Sequence, residues 1–211
     1  MPLTKDVAII VAHPDDETLW AGGTILSHPL WNCFIMSLCR GNDEDRSPKF
    51  RNALKMLKAE GTMGDLDDGP DQLPLDGSVV EQSILNLLPD RHFDLVISHN
   101  PVGEYTRHRR HEEIGEAVIR LWHSGKIISD RLWIFAYEDN NRNKYPEAVR
   151  NADLYSKLSE TIWIKKYKII TEIYGFKAGG FEAETTPHAE SFWQFDDTET
   201  ANEWLAGLIN T

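Results

Sequence analysis

The chain begins its first apolar run at Val7-Ala8-Ile9-Ile10-Val11 and passes directly into Ala12-His13-Pro14-Asp15-Asp16-Glu17. A run of that length and β-branched content reads as a buried strand. The hexapeptide then sits at the strand's carboxyl end, the edge where open α/β sheets bind their ligands. A histidine and two adjacent carboxylates placed there look like a metal site with a spare acid beside it. Core packing has no use for three such groups within four residues.

Further along, strand-like and helix-like segments alternate. Strands are predicted at 7–11, 32–38, 94–98 and 132–136, and helices at 17–27, 48–60, 78–88, 112–122 and 161–174. This alternation points to a largely parallel sheet with helices on both faces, over a single domain spanning 1–211. The strands end in polar loops at 13–16, 40–45, 99–104 and 137–140, which such a sheet gathers on one edge. The segment Gly64–Gly77 carries five aspartates among its glycines and prolines. Their spacing misses that of a calcium loop, so a solvated surface loop is expected. The region after Gly175 is rich in loop-forming residues and yields no assignment.

The net charge of −12 argues against non-specific binding to nucleic acid, because phosphates would be repelled. No signal peptide or membrane-spanning run is visible, which favours the cytoplasm. Cys33 and Cys39 fall on one strand-like run and its end, too far apart for a disulfide, and are expected to be reduced core residues.

His13 and Asp16 stand three apart across a turn, and a second histidine pair lies at His108 and His111. A helix starting there would put both histidines on one face. Catalytic zinc takes about three protein ligands and keeps a position for water or substrate. His13, Asp16 and one histidine of the second pair would form such a set, equally suited to ferrous iron or another divalent metal. Asp15 is the leftover carboxylate and would serve as general base to a water on that metal. The remaining histidine would stabilise an oxyanion or protonate a leaving amine. Carboxylates also favour helix N-termini, and for Glu17 capping explains the residue at least as well as catalysis. The stretch Arg107-His108-Arg109-Arg110-His111 alone would read as a solvated basic patch. The matching loop after the first strand favours the metal reading for His111.

These residues resemble a known family. The first motif, with Leu19, Gly22 and Gly23 following, is similar to the opening motif of the LmbE/PIG-L family of metal-dependent N-deacetylases. Gly103-Glu104-Tyr105-Thr106-Arg107-His108-Arg109-Arg110-His111 resembles that family's second histidine motif. Weaker matches are Arg40-Gly41, Arg46 with Arg51 and Ala53, and Ala189-Glu190-Ser191-Phe192. The resemblance implies a Rossmann-like three-layer fold and zinc held by His13, Asp16 and His111. It implies Asp15 as general base and His108 at the oxyanion or leaving group. Family members remove acetyl groups from N-acetylglucosamine units on varied aglycones, and many assemble as trimers or hexamers. Arg40, Arg46, Tyr137 and Glu190 are the candidate substrate contacts. Trp20, Tyr137 and Trp193 are plausible walls for a sugar, although each taken singly fits the core better.

Two departures touch substrate choice and leave the chemistry intact. Arg109-Arg110 replaces the usual middle of the second motif, leaving the pair either to bind an anionic group or to face solvent. Lys49 stands where an acid usually follows Arg46. Other functions stay open: a non-catalytic metal- or sugar-binding protein on the same fold, or an amidase acting on a non-sugar amide. An aspartyl-phosphate phosphatase would need an Asp-x-Asp pattern that the loop does not supply. A dinucleotide binder would need a glycine-rich turn after the first strand.

Overall fold

The computed structural model describes residues 4–105 and 108–209. Its centre is a seven-stranded sheet built by β1 (Lys5–Val11), β2 (Trp31–Ser37), β3 (Glu60–Met63), β4 (Leu95–Ser98), β5 (Leu132–Phe135), β8 (Leu154–Lys157) and β9 (Ala189–Phe195). The strand order is β3-β2-β1-β4-β5-β9-β8. The first five strands run parallel, while β9 pairs antiparallel with β5 and β8 antiparallel with β9. A separate ribbon pairs β6 (Tyr137–Glu138) with β7 (Glu147–Ala148).

Residues of β1 alternate between two cores, as a pleated strand buried on both faces must. Ala8 and Ile10, with Ala12 just beyond the strand, pack with α3 (Gly77–Leu87), α4 (Arg109–His123) and α7 (Thr198–Ile209). Val7, Ile9 and Val11 pack with α1 (Asp16–Ser27), α2 (Arg46–Leu57) and a π-helical turn at Ile169–Ile173. That turn continues α5 (Glu160–Lys168), and a short α6 (Phe181–Thr185) follows. The result is the three-layer α/β sandwich expected from the sequence.

From β1 the chain runs to β2 and β3 on one side and later to β4 and β5 on the other. The loops after β1 and β4 therefore diverge at a topological switch point, where such sheets open a crevice. Two glycines let the surrounding elements close in. A Cβ at Gly115 would stand 2.5 Å from the His99 carbonyl oxygen, so only glycine lets α4 press onto the loop after β4. At Gly23 a Cβ would stand 2.4 Å from Leu158 and 2.9 Å from Glu190 Oε1.

Several expectations change. The predicted helix 48–60 stops at Leu57, and Glu60 opens β3, because Lys58 turns left-handed and ends the helix. The segment after Gly175 is ordered into α6, β9 and α7. The antiparallel strands and the ribbon depend on partners distant in sequence, which local periodicity does not report. Cys33 and Cys39 are free and buried, as expected. Among the described residues, no helix is long and apolar enough to cross a membrane.

Candidate metal centre

Three donor atoms from two sheet-edge loops converge on one point. His13 Nδ1 lies 3.2 Å from Asp16 Oδ2 and 3.2 Å from His111 Nε2. His111 Nε2 lies 3.3 Å from Asp16 Oδ2, which closes the triangle. Tetrahedral zinc with bonds of about 2.0–2.2 Å keeps its ligand atoms roughly 3.3–3.6 Å apart. With both imidazoles neutral, three electron pairs face one another in a buried place, and only a proton or a cation reconciles them. Burial lowers the pKa of His13, yet facing Asp16 and Asp68 lift it well above the ordinary histidine value. For Asp16, burial acts upward, but His111, His13 and His99 outweigh it and hold the carboxyl well below its usual range. The donor set and its spacing fit a divalent metal.

The residues behind the triangle fix its atoms. Trp20 donates Nε1–H to Asp16 Oδ1 at 3.0 Å, and the His13 amide donates to Oδ2 at 2.8 Å. Trp20 is fully buried, and its indole orients a candidate ligand. Glu104 Oε2 lies 2.6 Å from His111 Nδ1 and 3.0 Å from His99 Nδ1. Burial would raise the Glu104 pKa, but His99 and His111 bring it down to about 2. Its second oxygen accepts the Asn100 amide at 2.8 Å.

His99 is a site residue that the sequence reading passed over. The Ala12 amide donates to its Nε2 at 2.9 Å, bracing the backbone immediately before His13. Burial lowers the His99 pKa, while Glu104 and Asp16 raise it to about 9. The Ala12 N–H opposes that charge because it needs the Nε2 lone pair, and we assign the neutral imidazole. Two wider groups, His13–His108–His111 and Asp16–His99–His111, also bring donor atoms within 4.8 Å. With both nitrogens engaged, His99 supports the centre from behind. Its signal was present: His99 closes buried β4 as His13 follows buried β1.

Asp15 stands beside the triangle in a constrained backbone, with φ of 120°. That angle is uncommon for a residue other than glycine. Glu17 holds it there: its Oε2 accepts the Asp15 amide at 3.0 Å, and its Oε1 accepts the Tyr174 hydroxyl at 2.8 Å. Glu17 is fully buried and caps the bend itself. Burial and neighbouring Asp16 lift the Asp15 carboxyl well above its ordinary pKa. Arg46 Nη1 lies 3.4 Å from Asp15 Oδ2, with its guanidinium 4.7 Å over the Phe176 ring. Lys49 pairs instead with Asp45 at 2.6 Å. His108 stacks on His111 with centroids 4.3 Å apart. Burial and the facing His111 and His13 push its pKa down to about 3, leaving a neutral ring. His108 Nδ1 is buried without a hydrogen-bond partner among the described residues.

A pocket of about 210 Å³ opens over these groups, and Arg40 and Arg46 both reach its wall. Tyr137 and Glu190 do not. Tyr137 is buried, with its hydroxyl donating to the Trp20 carbonyl at 2.7 Å. Glu190 is fully buried and accepts from the Gly23 and Thr24 amides and from Lys166 Nζ. Trp193 packs against the core on the α4 side of the sheet.

The aspartate-rich loop also departs from expectation. Asp68 turns inward, with Oδ1 3.2 Å from His13 Nε2 and Oδ2 2.6 Å from Arg40 Nη2. Those two charges draw it out of solvent. Arg110 neither faces solvent nor awaits a ligand. It is fully buried and donates to the Asp67 and Leu73 carbonyls and to Glu113. Arg109 is exposed, and Arg107 lies outside the described residues.

No protein-family model matches the sequence. One curated relative, an uncharacterized protein L374 of Acanthamoeba polyphaga mimivirus, is 23% identical, covering 78% of this chain and 76% of its own. The N,N'-diacetylchitobiose deacetylase of Pyrococcus horikoshii superposes with a TM-score of 0.68 at 16% identity, covering 91% of this chain and 84% of its own. The zinc-inhibited form of teicoplanin deacetylase Orf2 gives 0.57 at 14% identity, covering 85% and 88%. A 4-carboxy-2-hydroxymuconate hydratase from Pseudomonas putida gives 0.58 at 17% identity, covering 90% and 95%. Both deacetylases and a hydratase share this architecture, so the reaction must be argued from the site. The chain has the fold of the LmbE/PIG-L-type deacetylases.

Proposed function

We propose that this chain, acting as one domain over 1–211, is a zinc-dependent hydrolase that removes an N-acetyl group from an N-acetylglucosamine-type conjugate. The observation that carries the proposal is the triangle of His13 Nδ1, Asp16 Oδ2 and His111 Nε2 with a second acid, Asp15, beside it. His13, Asp16 and His111 would hold the ion. A divalent metal there would acidify a water and polarise the acyl carbonyl.

The chain's own groups then divide the work. Asp15, with its carboxyl held above the ordinary pKa, takes the proton of the attacking water. Arg46 limits where that carboxylate can point. His108, neutral and with a nitrogen unpaired, donates a hydrogen bond to the developing oxyanion, and the proton that Asp15 took from the water passes on to the leaving amine. Glu104 and His99 keep the His111 ring and the His13 backbone in place. Support for an acetylated amino sugar comes from the motif resemblance and from the deacetylases that share the fold.

The test is acetate release from a panel of N-acetylglucosamine conjugates, with His13→Ala as control and metal content measured by elemental analysis. The proposal expects release that a chelator abolishes and zinc restores. One bound metal per chain without release from any conjugate would reject the sugar assignment and leave the non-sugar amidase reading. No bound metal would leave a binding protein on this fold.

A further inference from the structure

The metal pocket, about 210 Å³, is small for a whole conjugate. Clefts that take drug-sized molecules run to about 300–1,000 Å³. A second cleft of about 1020 Å³ adjoins it, and the two share Tyr105 and Phe181 in their walls. From that shared wall a line of rings leads outward. Tyr105 and Phe181 have centroids 5.4 Å apart, and Phe181 and Tyr145 stand 6.0 Å apart. Phe181 is 42% exposed and Tyr145 46%, so both leave large ring surfaces open to whatever enters. Pro146 and Pro187 add further apolar wall. Lys144 and Glu147, also in its lining, pair at 2.8 Å, which cancels one charge of each sign. Exposed aromatic surface gathered in a concavity beside a reaction site marks a ligand-binding surface.

We propose that this larger cleft is the subsite for an apolar extension of the substrate, an aryl or alkyl group joined to the N-acylated head, with Phe181 and Tyr145 as its contact faces. The assignment rests on the reading that the smaller pocket holds the amide to be cleaved. Phe181 stands at the threshold and touches both parts. Tyr145 lies further out, in the loop between β6 and β7, and touches the extension alone.

Two measurements on the zinc-loaded full chain test this. The first compares kcat/KM for N-acetylglucosamine, its phenyl and octyl glycosides, and a disaccharide of the same sugar. Burying ~60 Å² of apolar surface is enough for about a tenfold gain. The phenyl or octyl glycoside is expected to gain at least that much, mainly through KM. Tyr145→Ala and Phe181→Ala, both at exposed positions, should each remove most of the gain. The second measurement is calorimetric binding of phenyl and octyl glucosides, which carry no amide, to the His13→Ala protein. Binding that Tyr145→Ala weakens about tenfold supports the subsite whether or not any conjugate turns over. If glucosides bind in this way while no conjugate is hydrolysed, the subsite stands and the N-acetyl-sugar reading falls. Turnover without a phenyl or octyl advantage, a disaccharide preferred above both, or a preference untouched by either substitution overturns the subsite.

Discussion

Glu104 Oε2 sits 2.6 Å from Nδ1 of His111. That contact fixes the tautomer: Nδ1 carries the proton, and Nε2 turns its lone pair toward His13 and Asp16. A carboxylate behind a ligating histidine also raises its basicity, and removing such partners costs about 10–100-fold in metal affinity. Glu104→Gln should therefore weaken zinc by that range, read by competition with a chromophoric chelator. The substitution keeps the volume of a fully buried side chain. Unchanged affinity in a folded variant would mean that His111 needs no support from behind.

Asp15→Asn separates chemistry from architecture. Asparagine matches aspartate in size and keeps the amide that Glu17 accepts, so the backbone with its φ of 120° should persist. Loss of a general base costs on the order of 10²–10⁴-fold in rate. Asp15→Asn should lose acetate release within that range while keeping one metal per chain. Full activity would remove Asp15 from the mechanism. Loss of the metal would make Asp15 a ligand.

Much of the centre was legible because its key residues directly follow a buried strand. Val7–Val11 locates the edge of the sheet, and the polar groups after it have no packing purpose. The same logic applied to Ser98-His99 would have exposed His99, which contacts Ala12 across 87 positions of sequence. What stayed hidden depends on pairings between distant segments. Asp68 looked like one more solvated aspartate until His13 and Arg40 supplied the charge that draws it in. Tyr137 follows β5 at the right edge, yet its ring packs in the core and its hydroxyl finds Trp20. The sheet edge was predictable, whereas the direction of each side chain on it was not.

Arg109 and Arg110 of the second motif should behave differently. Arg110 is buried and holds the 64–77 loop through the Asp67 and Leu73 carbonyls, the latter at 2.9 Å. Arg110→Met removes a charged donor from its part-buried bonds to Asp67, Leu73 and Glu113, and a hydrogen bond to a charged group is worth about 1.5–3 kcal/mol. Arg109→Ala, at an exposed position, should change stability by no more than about 0.5 kcal/mol. Urea unfolding reads both, and amide exchange across the loop should quicken in Arg110→Met alone. Equal effects from the two substitutions would contradict the anchoring role.

Glu190 offers the sharpest contrast between a motif match and a physical role. Its carboxylate accepts the Gly23 and Thr24 amides at 2.7 and 2.6 Å and pairs with Lys166 Nζ at 2.6 Å, all out of reach of solvent. Burial pulls the Lys166 pKa down while Glu190 opposes that shift. Glu190→Gln would leave a buried ammonium unpaired, and breaking such a pair costs about 3–5 kcal/mol. Replacing both partners, as Lys166→Met with Glu190→Gln, removes the stranded charge and should recover a large part of that loss. A residue that held substrate would instead change KM at constant stability, with no rescue from the second substitution. Denaturant unfolding of the two single variants and the double variant distinguishes the cases. A Glu190→Gln protein as stable as the parent would return Glu190 to the list of substrate contacts.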